Sequence, residues 1–73
     1  MHSEETLVRI ECTVQEALPG LQFRVTEDGS GREFLAHLAG KMKLHRIRVI
    51  PGDRVVVEMT RYDDRRGRIV RRF

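Results

Sequence analysis

The sequence is short of the residues that build disulfides, base-stacking platforms and membrane spans. Its 73 residues include one cysteine, no tryptophan, one tyrosine and three phenylalanines. A single cysteine, Cys12, can form neither an internal disulfide nor a cysteine-based zinc site. No uninterrupted apolar run exceeds three residues, whereas a membrane-spanning helix needs about 20. These absences exclude a disulfide-stapled domain and a helix that crosses a membrane.

The length sets a limit on domain number. Single hydrophobic cores usually occupy about 100 to 150 residues, so we expect one domain over residues 1–73, with residues 1–6 as a disordered N-terminal tail. The chain opens with Glu4 and Glu5 instead of the basic start and apolar stretch of a secretory signal. The expected location is therefore the cytoplasm, or the stroma or matrix of an organelle. A domain of this size leaves little room for the deep pocket of an enzyme.

Charge is distributed unevenly along the chain, whose net charge is +3. Residues 1–36 carry three arginines against seven acidic residues, a net charge of −4. Residues 37–73 carry eleven lysines and arginines against four acidic residues, a net charge of +7. A basic half of this kind is typical of proteins that bind polyanions. The alternative is a charged surface that serves only solubility.

Apolar and polar residues alternate with a period of two along most of the chain, as half-buried strands require. This alternation predicts strands at residues 8–18, 21–26, 33–38, 55–60 and 68–71. In the third strand, we expect Phe34 and Ala36 to point inward. Turns are predicted at Pro19-Gly20, at residues 28–31 and at residues 51–53. Alternation stops at residues 39–46, where the spacing predicts a short helix that begins near Gly40.

Five short strands in so few residues favour a closed or nearly closed barrel, because closure removes exposed sheet edges. The predicted class is all-β. An SH3-like barrel also has five strands, but the helix here falls between the third and fourth strands. That position is typical of the five-stranded OB fold, which commonly binds oligonucleotides.

Patterns for catalysis and for metal binding are missing. Neither Ser3 nor Ser30 has a histidine at a spacing typical of nucleophilic catalysis. The three histidines match no metal-ligand spacing. Gly29 and Gly31 lack the Lys-Ser/Thr pair and the helix of a phosphate-binding loop. We therefore expect no enzyme activity, no metal and no cofactor, and we place Cys12 in the core.

Two groups of basic residues suggest a binding surface. One group surrounds the predicted helix, and the other lies in the last loop and the fifth strand. Their members are Lys41, Lys43, Arg46 and Arg48, and Arg65, Arg66 and Arg68. Lysine and arginine neutralise phosphates without reading sequence, and arginine can pair with two phosphate oxygens. If both groups meet on one face of the barrel, that face would bind nucleic acid.

The aromatic residues indicate which nucleic acid is favoured. Binders of single strands stack bases on exposed rings, yet Phe23 and Phe34 are expected in the core. Only Tyr62 and Phe73 remain as stacking platforms. We therefore expect phosphate contacts and recognition of folded RNA shape to dominate.

Several motifs resemble bacterial-type translation initiation factor one. They occur in the family's order over about residues 8–72. The motifs are LP (18–19), FRV (23–25), AHLAGKMK (36–43), IRV (47–49), PGDRV (51–55), YD (62–63) and GRIV (67–70). The Gly-Lys-Met core together with the distal Gly-Arg-Ile is far more specific than a general OB pattern.

The resemblance implies an OB barrel that binds the small ribosomal subunit at its aminoacyl-tRNA site. It implies contacts with decoding-site ribosomal RNA and with a neighbouring ribosomal protein, occlusion of tRNA, and cooperation with initiation factors two and three. We expect a monomer without enzyme activity. The residues expected to contact RNA, with Arg46 added from the basic group, are His37, Lys41, Lys43, Arg46, Arg48, Arg66, Arg68 and Arg72. His37 could equally be a hydrogen-bonded structural residue.

Three positions depart from the family pattern. Arg46 and Arg71 stand where the family usually has an aromatic residue, and Cys12 replaces a common glycine. Because two rings have become two charges, we expect unusually salt-sensitive binding. Two other functions remain open from the residues alone: a general RNA chaperone resembling cold-shock domains, and a protein-interaction barrel.

Overall fold

The strands follow the predicted alternation. A computed structural model describes residues 7–60 and 66–73. Its elements are β1 (Leu7–Leu18), β2 (Gln22–Glu27), β3 (Glu33–Leu38), α1 (Gly40–Leu44), β4 (Arg54–Thr60) and β5 (Arg66–Arg72). The predicted tail at residues 1–6 lies outside the described residues, and so do Tyr62 and Arg65 of the second basic group.

The five strands close into a barrel in the order β1-β2-β3-β5-β4. This arrangement confirms the predicted OB fold with a short helix between the third and fourth strands. β1 serves two partners: its first half pairs with β4 and its second half with β2. The register shifts between Val14 and Glu16, where β1 passes along β2. All neighbours are antiparallel except β3 and β5, which run parallel.

The core is built from the inward faces of the five strands and from α1. Phe34 and Ala36 are both buried, as predicted. The other buried apolar residues are Cys12, Val14, Phe23, Val25, Leu38, Ala39, Met42, Val49, Val55, Val57, Met59 and Ile69. Burial raises the pKa of the Cys12 thiol to about 12, helped by the nearby carboxylates of Glu27 and Asp28. Cys12 is therefore a small apolar core residue that stays protonated.

α1 covers one end of the barrel and is tied to β5. The Ala39 N–H donates to the Ile69 carbonyl at 2.9 Å, and the Met42 side chain is only 2% exposed. After the helix, the Arg46 N–H donates to Lys43 O at 3.1 Å and the Ile47 N–H donates to Met42 O at 3.0 Å. This pair of bonds is a Schellman motif, which places the residue after the C-cap in the left-handed region.

That left-handed residue is Arg46, with φ of 55°. Glycine is usual at this position because it has no Cβ to clash with the backbone. The arginine therefore carries a conformational cost, and its side chain leaves the chain in a direction that an ordinary loop conformation would not give.

β5 begins earlier than the sequence predicts, at Arg66 instead of residue 68. The additional residues belong to the parallel pairing, in which Leu35 lies opposite Arg66 and Ala36 lies opposite Gly67. The first inward residue of β5 is Gly67, which is buried but has no apolar side chain, so the alternation of apolar residues did not mark the start of the strand.

Among residues 7–60 and 66–73, the structure contains no helix long and apolar enough to cross a membrane.

Candidate nucleic-acid interface

The arginines of the first half of the chain are neutralised by neighbouring carboxylates. Arg24 lies between Glu16 and Glu33, each 3.3 Å from a guanidinium nitrogen. Arg32 is 3.2 Å from Glu27. These acidic residues are therefore committed to nearby arginines, and the acidic half of the chain presents few free cations.

Six of the eight residues predicted to contact RNA behave differently. All six side chains are exposed, and none of these side chains forms a hydrogen bond or ion pair with any other residue in the described part of the chain. They are His37, Lys41, Lys43, Arg46, Arg48 and Arg66. Side chains without partners among the described residues keep their hydrogen-bonding capacity for an external anion.

Three of these six meet in one groove, called here the basic groove. Its volume is about 180 Å³, and its lining includes His37 from β3, Lys43 from α1 and Arg66 from β5. Arg66 reaches this place because it pairs with Leu35, so the parallel β3–β5 contact brings the last strand beside the helix. Gly20, Gln22, Leu35 and Ala36 complete the lining.

A second groove of about 440 Å³ lies next to the first and shares Lys43 with it. We call it the apolar groove. Its lining combines the apolar residues Ala17, Leu18, Leu21, Phe23, Leu38, Met42, Ile47 and Val49 with the basic residues Lys43, Arg46 and Arg48. Through Lys43, five of the eight predicted residues therefore form one continuous surface. They are His37, Lys43, Arg46, Arg48 and Arg66.

Arg68 borders the same surface but has an internal partner. A third groove, of about 350 Å³, is lined by His37, Arg66, Arg68 and Glu58, among others. The Arg68 Nη2 group donates a hydrogen bond to Glu58 Oε1. Glu58 lies between the inward-facing Val57 and Met59 on β4, yet it is only 9% exposed, and Arg9 contacts it from the other side.

Arg72, unlike the six residues above, uses its side chain for contacts within the protein. Its Nη1 group donates to the carbonyl oxygen of Arg48 at 2.9 Å and lies 3.9 Å from the Asp53 carboxylate. Arg72 therefore ties the C-terminal end of β5 to the loop that carries Arg48. Its contact with Arg48 also anchors one side of the apolar groove.

Lys41 does not line the basic groove or the apolar groove. It lines a separate groove of about 340 Å³ with Arg9, Arg71, Val56 and Val70. The structure therefore separates Lys41 from the other predicted contact residues. The groove that Lys41 lines also contains Arg9 and Arg71, two basic residues that were not predicted to contact RNA.

A β-bulge explains the position of Arg71. Val56 lies opposite Arg71 and Val57 lies opposite Ile69, so Val70 is an extra residue in β5. An extra residue reverses the alternation of inward and outward faces. Arg71 is consequently exposed, and nothing in the local sequence marks the bulge.

The described residues contain no group of three or more histidine, cysteine or carboxylate side chains that could hold a metal ion. Glu58, which lines the third groove, has a lowered pKa. The hydrogen bond from Arg68 lowers the pKa of Glu58, and the contact with Arg9 lowers it further, although burial acts in the opposite direction. Glu58 is therefore a carboxylate throughout the neutral range.

Comparison with known proteins agrees with the barrel fold. The sequence model of the family "Translation initiation factor 1A / IF-1" matches residues 2–73. The solution structure of the bacterial translation initiation factor one from the Wolbachia endosymbiont strain TRS of Brugia malayi superposes with a TM-score of 0.77. It is 44% identical, and the match covers 94% of this chain and 80% of that one.

The crystal structure of YjeQ from Thermotoga maritima is also similar, with a TM-score of 0.73. It is 24% identical, and the match covers 90% of this chain but only 23% of that protein. At this level of identity, the likeness concerns the barrel fold alone.

Proposed function

Because the chain belongs to the translation initiation factor 1A / IF-1 family and is thus a translation initiation factor, we propose that it binds the small ribosomal subunit at the decoding site. There it occludes the aminoacyl-tRNA site and supports initiation factors two and three. The proposal includes contacts with ribosomal RNA and with a neighbouring ribosomal protein, made by a monomer. The compartment is that of its ribosomes, either the cytoplasm or the stroma or matrix of an organelle.

The observation that carries this proposal is the continuous surface formed by His37 and four lysine and arginine side chains. Its five members project from β3, α1, β5 and the loop after α1, and they have no carboxylate partner among the described residues. RNA phosphates would supply the missing partners, because lysine and arginine form strong charge-assisted hydrogen bonds with phosphate oxygens.

The distribution of aromatic rings favours folded RNA over an unstructured strand. Phe23 and Phe34 are buried, and the only exposed ring among the described residues is Phe73. The guanidinium carbon of Arg54 lies 5.5 Å from the centroid of the Phe73 ring. One ring with a cation already against it is a poor platform for successive bases. This disfavours the chaperone alternative, which needs several stacking sites.

The first experiment measures cosedimentation of the protein with purified small subunits, with and without a decoding-site antibiotic. We expect binding that the antibiotic reduces, and we expect added protein to reduce tRNA binding at the aminoacyl-tRNA site. Binding only to large subunits, or no binding, would overturn the proposal. Equal affinity for an unstructured RNA would favour the chaperone alternative.

A matched pair of variants tests the role of unpaired charge. Arg24 and Arg66 lie on opposite sides of Leu35, on β2 and β5, and both are exposed or half-exposed. Arg24 is held by two carboxylates, whereas Arg66 has no partner among the described residues. We expect Arg66→Gln to weaken small-subunit binding about tenfold, the effect of losing one charge-assisted contact. Arg24→Gln should change affinity less than about twofold.

Both variants remove one positive charge, so a nonspecific charge effect would weaken binding equally in the two. Equal losses, or no loss in Arg66→Gln, would show that the grooves are not the RNA contact. Thermal unfolding of both variants checks that each remains folded.

A further inference from the structure

Four side chains form a row across the outer face of the barrel. The strand register places Arg9 of β1 opposite Glu58 of β4, Glu58 opposite Arg68 of β5, and Arg68 beside His37 of β3. We call these residues the polar row. The row ends at His37, which also belongs to the basic groove. It therefore connects the third groove to the proposed RNA-binding surface.

Glu58 is the one acidic member of the row, and both of its oxygens are used. Oε1 accepts the hydrogen bond from Arg68 Nη2, and Oε2 accepts one from Arg9 Nε at 3.3 Å. The carboxylate is almost fully covered, while Arg9 and Arg68 are 70% and 51% exposed. The two arginines thus shield the negative charge and keep much of their own surface in solvent.

A carboxylate on a surface that binds RNA needs an explanation, because it repels phosphate. In the basic groove, the cations have no such partner among the described residues. At Arg68, however, the guanidinium has five N–H donors, and the only bond formed by its side chain to a described residue is the one to Glu58. Within residues 7–60 and 66–73, most of its donors therefore have no partner, while the bond to Glu58 fixes the side chain.

The backbone beneath Arg68 is also held firmly. β5 pairs with β3 on one side and with β4 on the other, so Arg68 lies on a strand with two neighbours. The preceding residue, Gly67, packs so closely that an added Cβ would lie 2.3 Å from Val57 Cγ1. A flexible side chain on a rigid strand loses less entropy on binding when a neighbour already fixes its rotamer.

We propose that Glu58 is a positioning residue for RNA binding, which holds the Arg68 guanidinium at the edge of the groove that contains His37 and Arg66, ready to contact a ribosomal RNA phosphate. This inference rests on the proposed function. It assigns Glu58 a role through Arg68 and not through contact with RNA. The gain in preorganisation outweighs the repulsion of one covered carboxylate.

The direction in which one substitution changes binding affinity distinguishes this proposal from simple charge repulsion. Glu58→Gln removes a negative charge from a cationic surface and keeps the shape of the side chain. If Glu58 only repelled phosphate, the variant would bind small subunits more tightly. Because an amide oxygen holds guanidinium less strongly than a carboxylate does, we expect binding to weaken about tenfold, equivalent to one charge-assisted contact.

Glu16→Gln is the matched control. Glu16 also pairs with an arginine, Arg24, on the outer face of the barrel, and its substitution changes the net charge equally. We expect this variant to bind as the unsubstituted protein does or slightly more tightly. The dependence of affinity on salt concentration gives a second measurement. In Glu58→Gln, the slope should decrease by the equivalent of about one phosphate contact. In Glu16→Gln, the slope should stay the same.

A double-mutant cycle shows whether Glu58 acts through Arg68. Arg68→Gln should weaken binding, and adding Glu58→Gln to it should cause no further loss. Additive losses would overturn the proposal, because Glu58 would then act without Arg68. Should Glu58→Gln fail to fold, Glu58→Asp keeps the charge but withdraws the acceptor by one methylene, and the same loss of affinity is expected. Undiminished binding by a folded Glu58→Asp variant would also overturn the proposal.

The two proposals fail in different ways. If the unsubstituted protein does not bind small subunits, the proposed function is wrong and the role of Glu58 falls with it. If that protein binds, and Glu58→Gln binds equally well or better, only the positioning role is wrong.

Discussion

Gly67 determines how closely β5 approaches the core, at the scale of a single residue. A Cβ at this position would lie 2.3 Å from Val57 Cγ1 and 3.2 Å from Phe34 Cε2. Val57 is fully buried and β-branched, so its methyl group has little freedom to move aside. We expect Gly67→Ala to lower the free energy of unfolding by about 1 to 3 kcal/mol, as overpacking a core does. Urea unfolding measures this change.

Gly40→Ala is the control for Gly67→Ala. Apart from its chain neighbours and its own helix backbone, no heavy atom of the described residues lies within 4 Å of a Cβ built on Gly40, and this residue belongs to α1, where alanine is favoured. The free energy of unfolding of the Gly40→Ala variant should be unchanged or slightly higher. If the two variants unfolded at the same urea concentration, close packing at Gly67 would not limit the barrel.

At the scale of elements, a cluster around Asp28 joins the end of β2 to β1 and β4. Asp28 Oδ1 accepts a hydrogen bond from Thr13 Oγ1 at 2.9 Å, and Oδ2 accepts one from Arg54 Nη2 at 2.8 Å. Arg54 also donates to Glu11 at 2.9 Å. The hydrogen bonds from Thr13 and then from Arg54 lower the pKa of Asp28 below its ordinary value of 3.8.

A lowered pKa fixes the direction of the pH effect. The stabilisation is complete above the ordinary pKa and is lost as the pH falls through the lower pKa of the folded state. We therefore expect Asp28→Asn to lower the melting temperature near pH 7 by a few degrees at most, because the cluster is largely exposed. The difference from the unsubstituted protein should shrink when melting is measured at about pH 3. A difference that grew toward acid would contradict this assignment.

The elements also show which features the sequence could predict. Alternating apolar residues predicted the five strands and most of their inward faces, because burial on one side of a strand leaves a period of two. The parallel contact between β3 and β5 could not be read in this way, although it brings Arg66 beside His37 and Lys43. The bulge at Val70 and the left-handed Arg46 depend on tertiary pairing and on the helix end, and neither carries the glycine that usually marks such positions.

Candidate contact residues were predicted unevenly for the same reason. Charge and motif identified the exposed residues His37, Lys43, Arg48 and Arg66, which the structure gathers on one surface. They could not show that Arg68 is held by a covered carboxylate, because Glu58 reads as one more outward residue of β4. Glu58 lies beside Arg9 and Arg68 because of how the strands pair in the closed barrel, and the sequence of each strand alone does not show this pairing.

For the whole molecule, the separation of paired and unpaired charge predicts strong salt dependence. The arginines of β1 and β2 form ion pairs with carboxylates. The lysines and arginines around α1 and at the start of β5 have no carboxylate partner among the described residues. If about five of them contact phosphates, affinity for small subunits should fall about 10²- to 10³-fold between about 50 and 200 mM salt. Equilibrium binding at several salt concentrations measures this slope.

The family's usual aromatic residue at position 46 offers an internal check on that slope. Arg46→Tyr replaces one unpaired cation of the apolar groove by a ring, so the salt dependence should decrease by about one phosphate contact. Arg24→Tyr removes a charge that two carboxylates already neutralise and should leave the slope unchanged. A flat salt profile in the unsubstituted protein would mean that its unpaired cations do not face phosphate, since contacts that release no counterions are insensitive to salt.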